Sequence, residues 1–344
     1  MTHTSTFALT PVPPYDFDLS CSIFSKGDPQ IRRYEDGQLR YVIRLSKKLV
    51  LALVQGSGTV NAPGLEVTLE SRSPLTQGER RQAALLIYDT FMLGLDLKPF
   101  YRAVKHDPVF TSITANLKGL RFMKTATVFE ALVDAICEQQ ISLTVARAIE
   151  TRIIKAFGDP LKIGADTHYA FPTPQSLAAG RTIDSRGQAR VNLSSEHGER
   201  EGEARQALPD EGATRAPVIN SLRACGLSRK KAEYIQGMAG MVAKGELDPE
   251  RFPVDAQTDD IIEQFTSIRG IGLWTAEYAL IRGMARLESM PADDLGIRRC
   301  ISRYYFRGDP VTAAQARETA ESWGPWRGLA SFYLLSAERL NITP

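Results

Sequence analysis

A chain of 344 residues is too long for one compact hydrophobic core, so two domains with a tail or an insertion are expected. Its 43% hydrophobic and 24% charged residues are ordinary for a water-soluble globular protein, and no apolar run approaches the length of a membrane span. The net charge of +2 sets up no global field, so a nucleic-acid partner would have to be held by local basic patches.

The opening "MTHTSTFALTPVPPYDF" has no basic start and no sustained apolar stretch, which argues against secretion and for a cytoplasmic protein, nucleoid-associated if the source is bacterial. From residue 15 to 100 the pattern is mixed. "LRYVIRLS" and "LVLALVQGSGTVNAPGLEVTLES" carry alternating or continuous aliphatic runs punctuated by "GSG" and "NAPG" turns, the mark of a small sheet. "ERRQAALLIYDTFMLGL" spaces Ala83, Leu86, Ile87 and Phe91 along one helical face. The pattern predicts an α+β fold: a mixed sheet-and-helix N-terminal domain over 1–107, then a helical domain over 108–344.

In the second part Phe129, Leu132, Val133 and Ile136 form one apolar stripe that breaks at "EQQIS". Ser142 is an N-cap candidate for a following helix carrying Val145, Ile149, Ile153 and Phe157 and ending at Gly158. "FPTP" at 171–174 opens another short helix. Residues 181–216 mix both charge signs with Gly and Ser and few apolar side chains, so a flexible surface insertion is expected there. Cys21, Cys137, Cys225 and Cys300 have no close spacing and the four histidines stand apart. That pattern argues against a side-chain metal site or an iron–sulfur cluster.

The chemistry concentrates in residues 260–285. Ile261, Ile262, Phe265 and Ile268 mark one helix, and Ala276, Leu280 and Ile281 mark a second. Between them "RGIG" supplies two glycines for a tight hairpin, with Ile271 plugging the crevice. The second helix would begin with unpaired backbone N–H groups facing outward, a site for a phosphate that needs no basic side chain. Downstream, "PADDLGIRRC" places Asp293 and Asp294 side by side at a helix start. Adjacent helical residues point about 100° apart, so the two cannot share one role.

This succession of hairpin, "TA", helix and Pro-x-x-Asp-x-x-Ile-x-Arg resembles the signature of the helix-hairpin-helix DNA glycosylases. The chain is most similar to the alkylation-repair branch, 3-methyladenine DNA glycosylase II. "PPYDFDLSCSIF", "FEALVDAICEQQISLTVARA", "FPTPQSLA" and "WGPWRGLASFYLL" extend the resemblance over nearly the whole chain apart from 181–216. The resemblance implies a monomer acting on double-stranded DNA that contains a damaged base, with an all-α catalytic core. It implies that Asp294 is the catalytic carboxylate and Asp293 a neighbour. It places Trp274 and Tyr278 as aromatic pocket walls, with Leu295 and Leu335 where the family has aromatic residues. Arg269, Gly270, Ile271, Gly272 and Leu273 would form the DNA-binding hairpin, although the family usually has proline at the place of Arg269. Gln139 and Gln140 would meet DNA, Gln140 at the wedge position that fills the gap left by a flipped base; a simple helix ending is the alternative for both. No cofactor is implied beyond a monovalent cation that the hairpin's backbone carbonyls could hold.

Bifunctional relatives carry a lysine two positions after the hairpin's second glycine, where this chain has Trp274. No amine is offered for a Schiff base, so hydrolysis to an abasic site is the expected outcome. Two alternatives stay open at this point: a non-catalytic lesion-binding protein on the same fold, and a bifunctional glycosylase for oxidised bases.

Overall fold

The structure is a computed structural model that describes residues 2–23, 27–46, 48–183, 189–191, 211–253 and 255–343. Strand β1 (His3–Leu9) and the short helix α1 (Phe17–Ser22) come first, followed by β2 (Arg32–Glu35), β3 (Gln38–Arg44), β4 (Leu49–Thr59) and β5 (Ala62–Ser71). The five strands pair antiparallel in the order β1-β5-β4-β3-β2. Strand β4 buries Val50, Leu51, Ala52 and Val54, which is why it reads as a continuous apolar run. In β5, Leu65, Val67 and Leu69 point inward and alternate with exposed or half-buried partners. Strand β1 lies at the sheet edge with no fully buried residue. It therefore lacks the apolar alternation that would betray it in sequence.

Helix α2 (Gln77–Thr90) covers the sheet. A reciprocal cap starts it: Thr76 Oγ1 accepts from the Glu79 N–H at 3.2 Å and Glu79 Oε2 accepts from the Thr76 N–H at 2.8 Å. Ala83, Ile87 and Phe91 then pack with Phe17 and the inward face of the sheet, as the helical spacing requires.

The remaining chain is mainly helical: α3 (Lys98–Val104), α4 (Pro108–Asn116), α5 (Val128–Glu138), α6 (Leu143–Phe157), the ribbon β6 (Pro160–Ile163) and β7 (Asp166–Tyr169), and α7 (Pro174–Ala179). A small pair of strands follows, β8 (Arg181–Ile183) and β9 (Ala189–Val191), then α8 (Glu211–Ala224), α9 (Arg229–Lys244), α10 (Thr258–Thr266), α11 (Leu273–Met284), α12 (Leu295–Tyr305), α13 (Ala313–Glu321) and α14 (Arg327–Arg339). The expected all-α core thus carries two short hairpins. The β6–β7 ribbon leans on the N-terminal sheet, where the Tyr169 N–H donates to the Gln30 carbonyl at 2.7 Å. Of the expected 181–216 insertion, 184–188 and 192–210 lie outside the described residues, while its ends form β8, β9 and the start of α8.

Among the described residues three hydrophobic cores result. One belongs to the sheet and α2. A second joins α5, α6 and α7 to α8 through α11. The third unites residues 97–122 with α12, α13 and α14, so the chain division expected at 107 falls inside it. Arg121, 1% exposed, ties the first core to the third by donating to the backbone carbonyls of Met92, Val12 and Pro14. Its guanidinium also stacks on the Tyr15 ring, 4.8 Å from the centroid. A cleft of about 2110 Å³ opens where the three cores meet.

Candidate nucleic-acid interface and active site

Helices α10 and α11 are joined by "RGIG". Ile271 is buried between them, and its N–H donates to the Ile268 carbonyl at 3.1 Å. The two glycines differ in purpose. Gly270 has φ +96°, and a Cβ there would lie 2.2 Å from the Tyr234 ring, so both the conformation and the space demand glycine. Gly272 is extended, with φ −96°, and a Cβ there would meet nothing within 4 Å. Positive φ is thus confined to Gly270; Gly272 instead leaves an open face in front of α11. That helix begins without a side-chain cap, so its first N–H groups face the opening. Leu273 stands 42% exposed beside it. Arg269 is exposed, its guanidinium 5.8 Å from the Tyr234 ring centroid and 4.0 Å from the Glu233 carboxylate.

The turn after α5 is held against this hairpin. The Gln139 side-chain amide donates to the Gly270 carbonyl at 3.1 Å and to Thr275 Oγ1 at 2.9 Å. Gln139 was expected to face DNA; it is turned inward and fastens the hairpin, because its amide satisfies a carbonyl the tight turn would leave open. Lys231 of α9 donates to the Cys137 and Gln139 carbonyls at 2.9 and 2.6 Å, closing the C-terminus of α5. Gln140 is left exposed at the tip with φ +57°, an uncommon conformation for a side-chain-bearing residue. Ile141, Leu143 and Val145 follow it, 38%, 38% and 48% exposed. The predicted helix, its Ser142 cap and its end at Gly158 are as the spacing requires, but Val145 faces out of the core.

Asp294 caps α12: its Oδ1 accepts from the Ile297 N–H at 3.0 Å. Its Oδ2 accepts from the Trp274 indole Nε1–H at 3.2 Å. The carboxylate is half-buried on the cleft wall at the N-terminus of α12. Asp293 is exposed. The two acids separate as expected, although not by helical geometry: Asp294 is the extended N-cap and Asp293 lies in the turn before it.

Trp274 and Tyr278, one turn apart on α11, place their ring centroids 5.5 Å apart at 40°. Leu295 projects from α12, 74% exposed, and Leu335 of α14 lines the same cleft beside Gly296. The first turns of α12 and the end of α14 are clamped by Arg299, which pairs with both Glu338 oxygens at 2.9 and 2.6 Å. Sequence reasoning missed the acids of α5. Glu130, Asp134 and Glu138 recur every fourth residue and line the cleft together with Glu150 of α6. The Tyr278 hydroxyl donates to Glu138 Oε1 at 3.1 Å. Burial pushes the Glu138 carboxyl up to about 7, against the opposing pull of Arg282. Asp134 is pushed well above the carboxylate range by burial and by the neighbouring Glu150, Glu130 and Glu138. The signal was the i, i+4, i+8 spacing of acids on a helix whose other faces are apolar.

Among the described residues no group of three or more His, Cys, Asp or Glu is placed to hold a metal ion, and no helix is long and apolar enough to cross a membrane. All four cysteines are buried thiols.

Residues 212–325, which hold the hairpin, Trp274 and Asp294, match the family described as HhH-GPD superfamily base excision DNA repair protein. The chain carries a domain of that superfamily. Around the HhH-GPD domain the likeness continues. A DNA-3-methyladenine glycosylase of Bacillus subtilis (strain 168) is 27% identical over 285 residues, covering 83% of this chain and 82% of its own. The DNA-3-methyladenine glycosylase 2 of Escherichia coli (strain K12) is 28% identical over 220 residues, covering 64% of this chain and 61% of its own. In fold, the 3-methyladenine DNA glycosylase from Archaeoglobus fulgidus superposes with a TM-score of 0.76 at 24% identity, over 98% of this chain and all of that one. An 8-oxoguanine glycosylase/lyase of Clostridium acetobutylicum shares the fold at a TM-score of 0.69 and 17% identity, over all of this chain and 99% of that one. The fold is therefore common to glycosylases named for different bases.

Proposed function

We propose that the chain is a monofunctional DNA glycosylase of base excision repair that everts alkylated purines such as 3-methyladenine and 7-methylguanine from duplex DNA and hydrolyses their glycosidic bond. One observation carries this: an aspartate fixed at a helix N-terminus, bonded to an indole that walls the same cleft, directly behind a glycine hairpin.

The uncapped start of α11 would take a backbone phosphate through its N–H groups, and Gly272 lets the phosphate approach. The hairpin carbonyls of Ile268 and Gly270 each accept one N–H, leaving a second lone pair that fits a monovalent cation beside that phosphate. Gln140, exposed at the tip of the α5–α6 turn, stands where a side chain would fill the vacated stack and hydrogen-bond the orphaned base. The flipped base then lies against Trp274 and Tyr278, whose ring faces attract a cationic alkylated purine by about 0.5–2 kcal/mol.

As the C1′–N bond lengthens, its electron pair leaves with the base and positive charge develops on the sugar. Asp294 stabilises that charge, and the carboxylate accepts a proton from the water that attacks C1′. With Trp274 in place of an amine, no covalent enzyme–sugar intermediate forms and an abasic site results.

The test is release of free base from methylated DNA. Asp294→Asn should abolish release while binding abasic-site duplex with nearly unchanged affinity, and Asp293→Asn should retain most of the activity. Equal loss from both substitutions, or binding without release by the wild type, would overturn the assignment.

A further inference from the structure

The cleft that holds Asp294 has a second acidic group at its other end. Trp274 and Tyr278 stand in a row on α11; the first donates to Asp294, the second to Glu138. A purine lying along that row with C1′ at Asp294 would turn its far edge toward Glu138. Both carboxylates line one cavity. Beneath Glu138, one helical turn back, Asp134 is 8% exposed, and its Oδ1 is buried without a hydrogen-bond partner. A buried polar atom left open beside a cleft can be satisfied by a polar edge of the ligand.

We propose that Glu138 is a specificity-determining residue that reads the far edge of the everted purine and ties the choice between cationic and neutral bases to its own charge. As a carboxylate it attracts a cationic N-alkylated purine. As a neutral acid it donates a hydrogen bond to the N7 or O6 acceptor of an uncharged purine such as hypoxanthine, which the carboxylate would repel.

Every element packed around Glu138 contributes to that charge. Burial above all, and Glu150 of α6, raise its pKa, Arg282 and the Tyr278 hydroxyl of α11 and Arg147 of α6 lower it, and the balance lies at about 7. From α9, Lys231 is committed to the carbonyls of Cys137 and Gln139. On α5 itself Asp134 is pushed up as well, by burial and by Glu150, Glu130 and Glu138. Carboxylate character at Glu138 therefore grows as pH rises through about 7, and preference for the cationic base grows with it.

This inference rests on the glycosylase reading, and the experiment separates the two. Single-turnover release of 3-methyladenine and of hypoxanthine from duplex DNA is measured between pH 6 and pH 8 for the wild type, Glu138→Gln and Tyr278→Phe. In the wild type the ratio of the two rates should rise roughly tenfold in favour of 3-methyladenine across that range. Glu138→Gln should flatten the ratio and slow 3-methyladenine release. Tyr278→Phe, which removes the hydroxyl that favours the carboxylate, should move the midpoint to higher pH. A ratio independent of pH in the wild type, or one unchanged by Glu138→Gln, overturns the inference and leaves the glycosylase reading standing. Tyr278→Phe keeps the test decisive should Glu138→Gln fail to fold, since an unshifted midpoint also overturns it. Failure of the wild type to release either base overturns both.

Discussion

Asp294 does two jobs with two oxygens. Oδ1 satisfies the helix start, and Oδ2 is aimed by the Trp274 indole. A hydrogen bond to a charged group contributes about 1.5–3 kcal/mol, and only the second of these bonds orients the carboxylate toward the cleft. Trp274→Phe keeps an aromatic wall and removes the Nε1–H. Single-turnover excision should then slow roughly tenfold while α12 keeps its Asp294 cap. The helix-capping place of Asp294 was legible because its signals are local: proline, turn and helix start lie within a few residues. The importance of Glu138 was not, since its partner Tyr278 is 140 positions away and only the packing of α5 on α11 brings them together.

At the scale of the element, the hairpin shows how two glycines in one short motif divide their roles. Gly270→Ala would force a left-handed backbone on a side chain and drive its Cβ into the Tyr234 ring, so a loss of at least about 2 kcal/mol in chemical unfolding is expected. Gly272→Ala meets open space and an ordinary backbone angle, so stability should hold. Its methyl group would still stand before the first N–H groups of α11, and DNA affinity measured by fluorescence anisotropy should fall severalfold. Sequence spacing revealed both helices and the plugging isoleucine because these contacts are local. It could not tell the two glycines apart, because what distinguishes them is a tyrosine of α9 packed against one and solvent against the other. The edge strand β1 escaped for the opposite reason: half-exposed positions leave no apolar period to detect.

For the molecule as a whole, the acids along α5 and α6 set a pH dependence of stability. Asp134, Glu138, Glu130 and Glu150 all have raised pKa values in the folded protein, each with burial as the leading cause. The folded state thus holds protons that the unfolded chain releases above its ordinary carboxylate range. Stability must fall as pH rises from about 5 through 7, by at most about 1.4 kcal/mol per pH unit for each proton retained. Asp134→Asn should flatten this slope, stabilising the protein more at pH 8 than at pH 6 in thermal unfolding. Composition gave no hint of it, since a net charge of +2 hides four acids gathered along one wall.

The bond from Trp274 to Asp294 has a consequence beyond chemistry. Helix α11 sits largely in the core built from α5 to α11, whereas α12 and α14 belong to the core shared with residues 97–122. The indole and the carboxylate therefore come from opposite sides of a seam, and they meet only when the two bodies are in register. A chain whose C-terminal body has loosened could still grip DNA through its hairpin, yet it would hold a disarmed blade. Loosening of the C-terminal helices should therefore cost excision before it costs DNA binding.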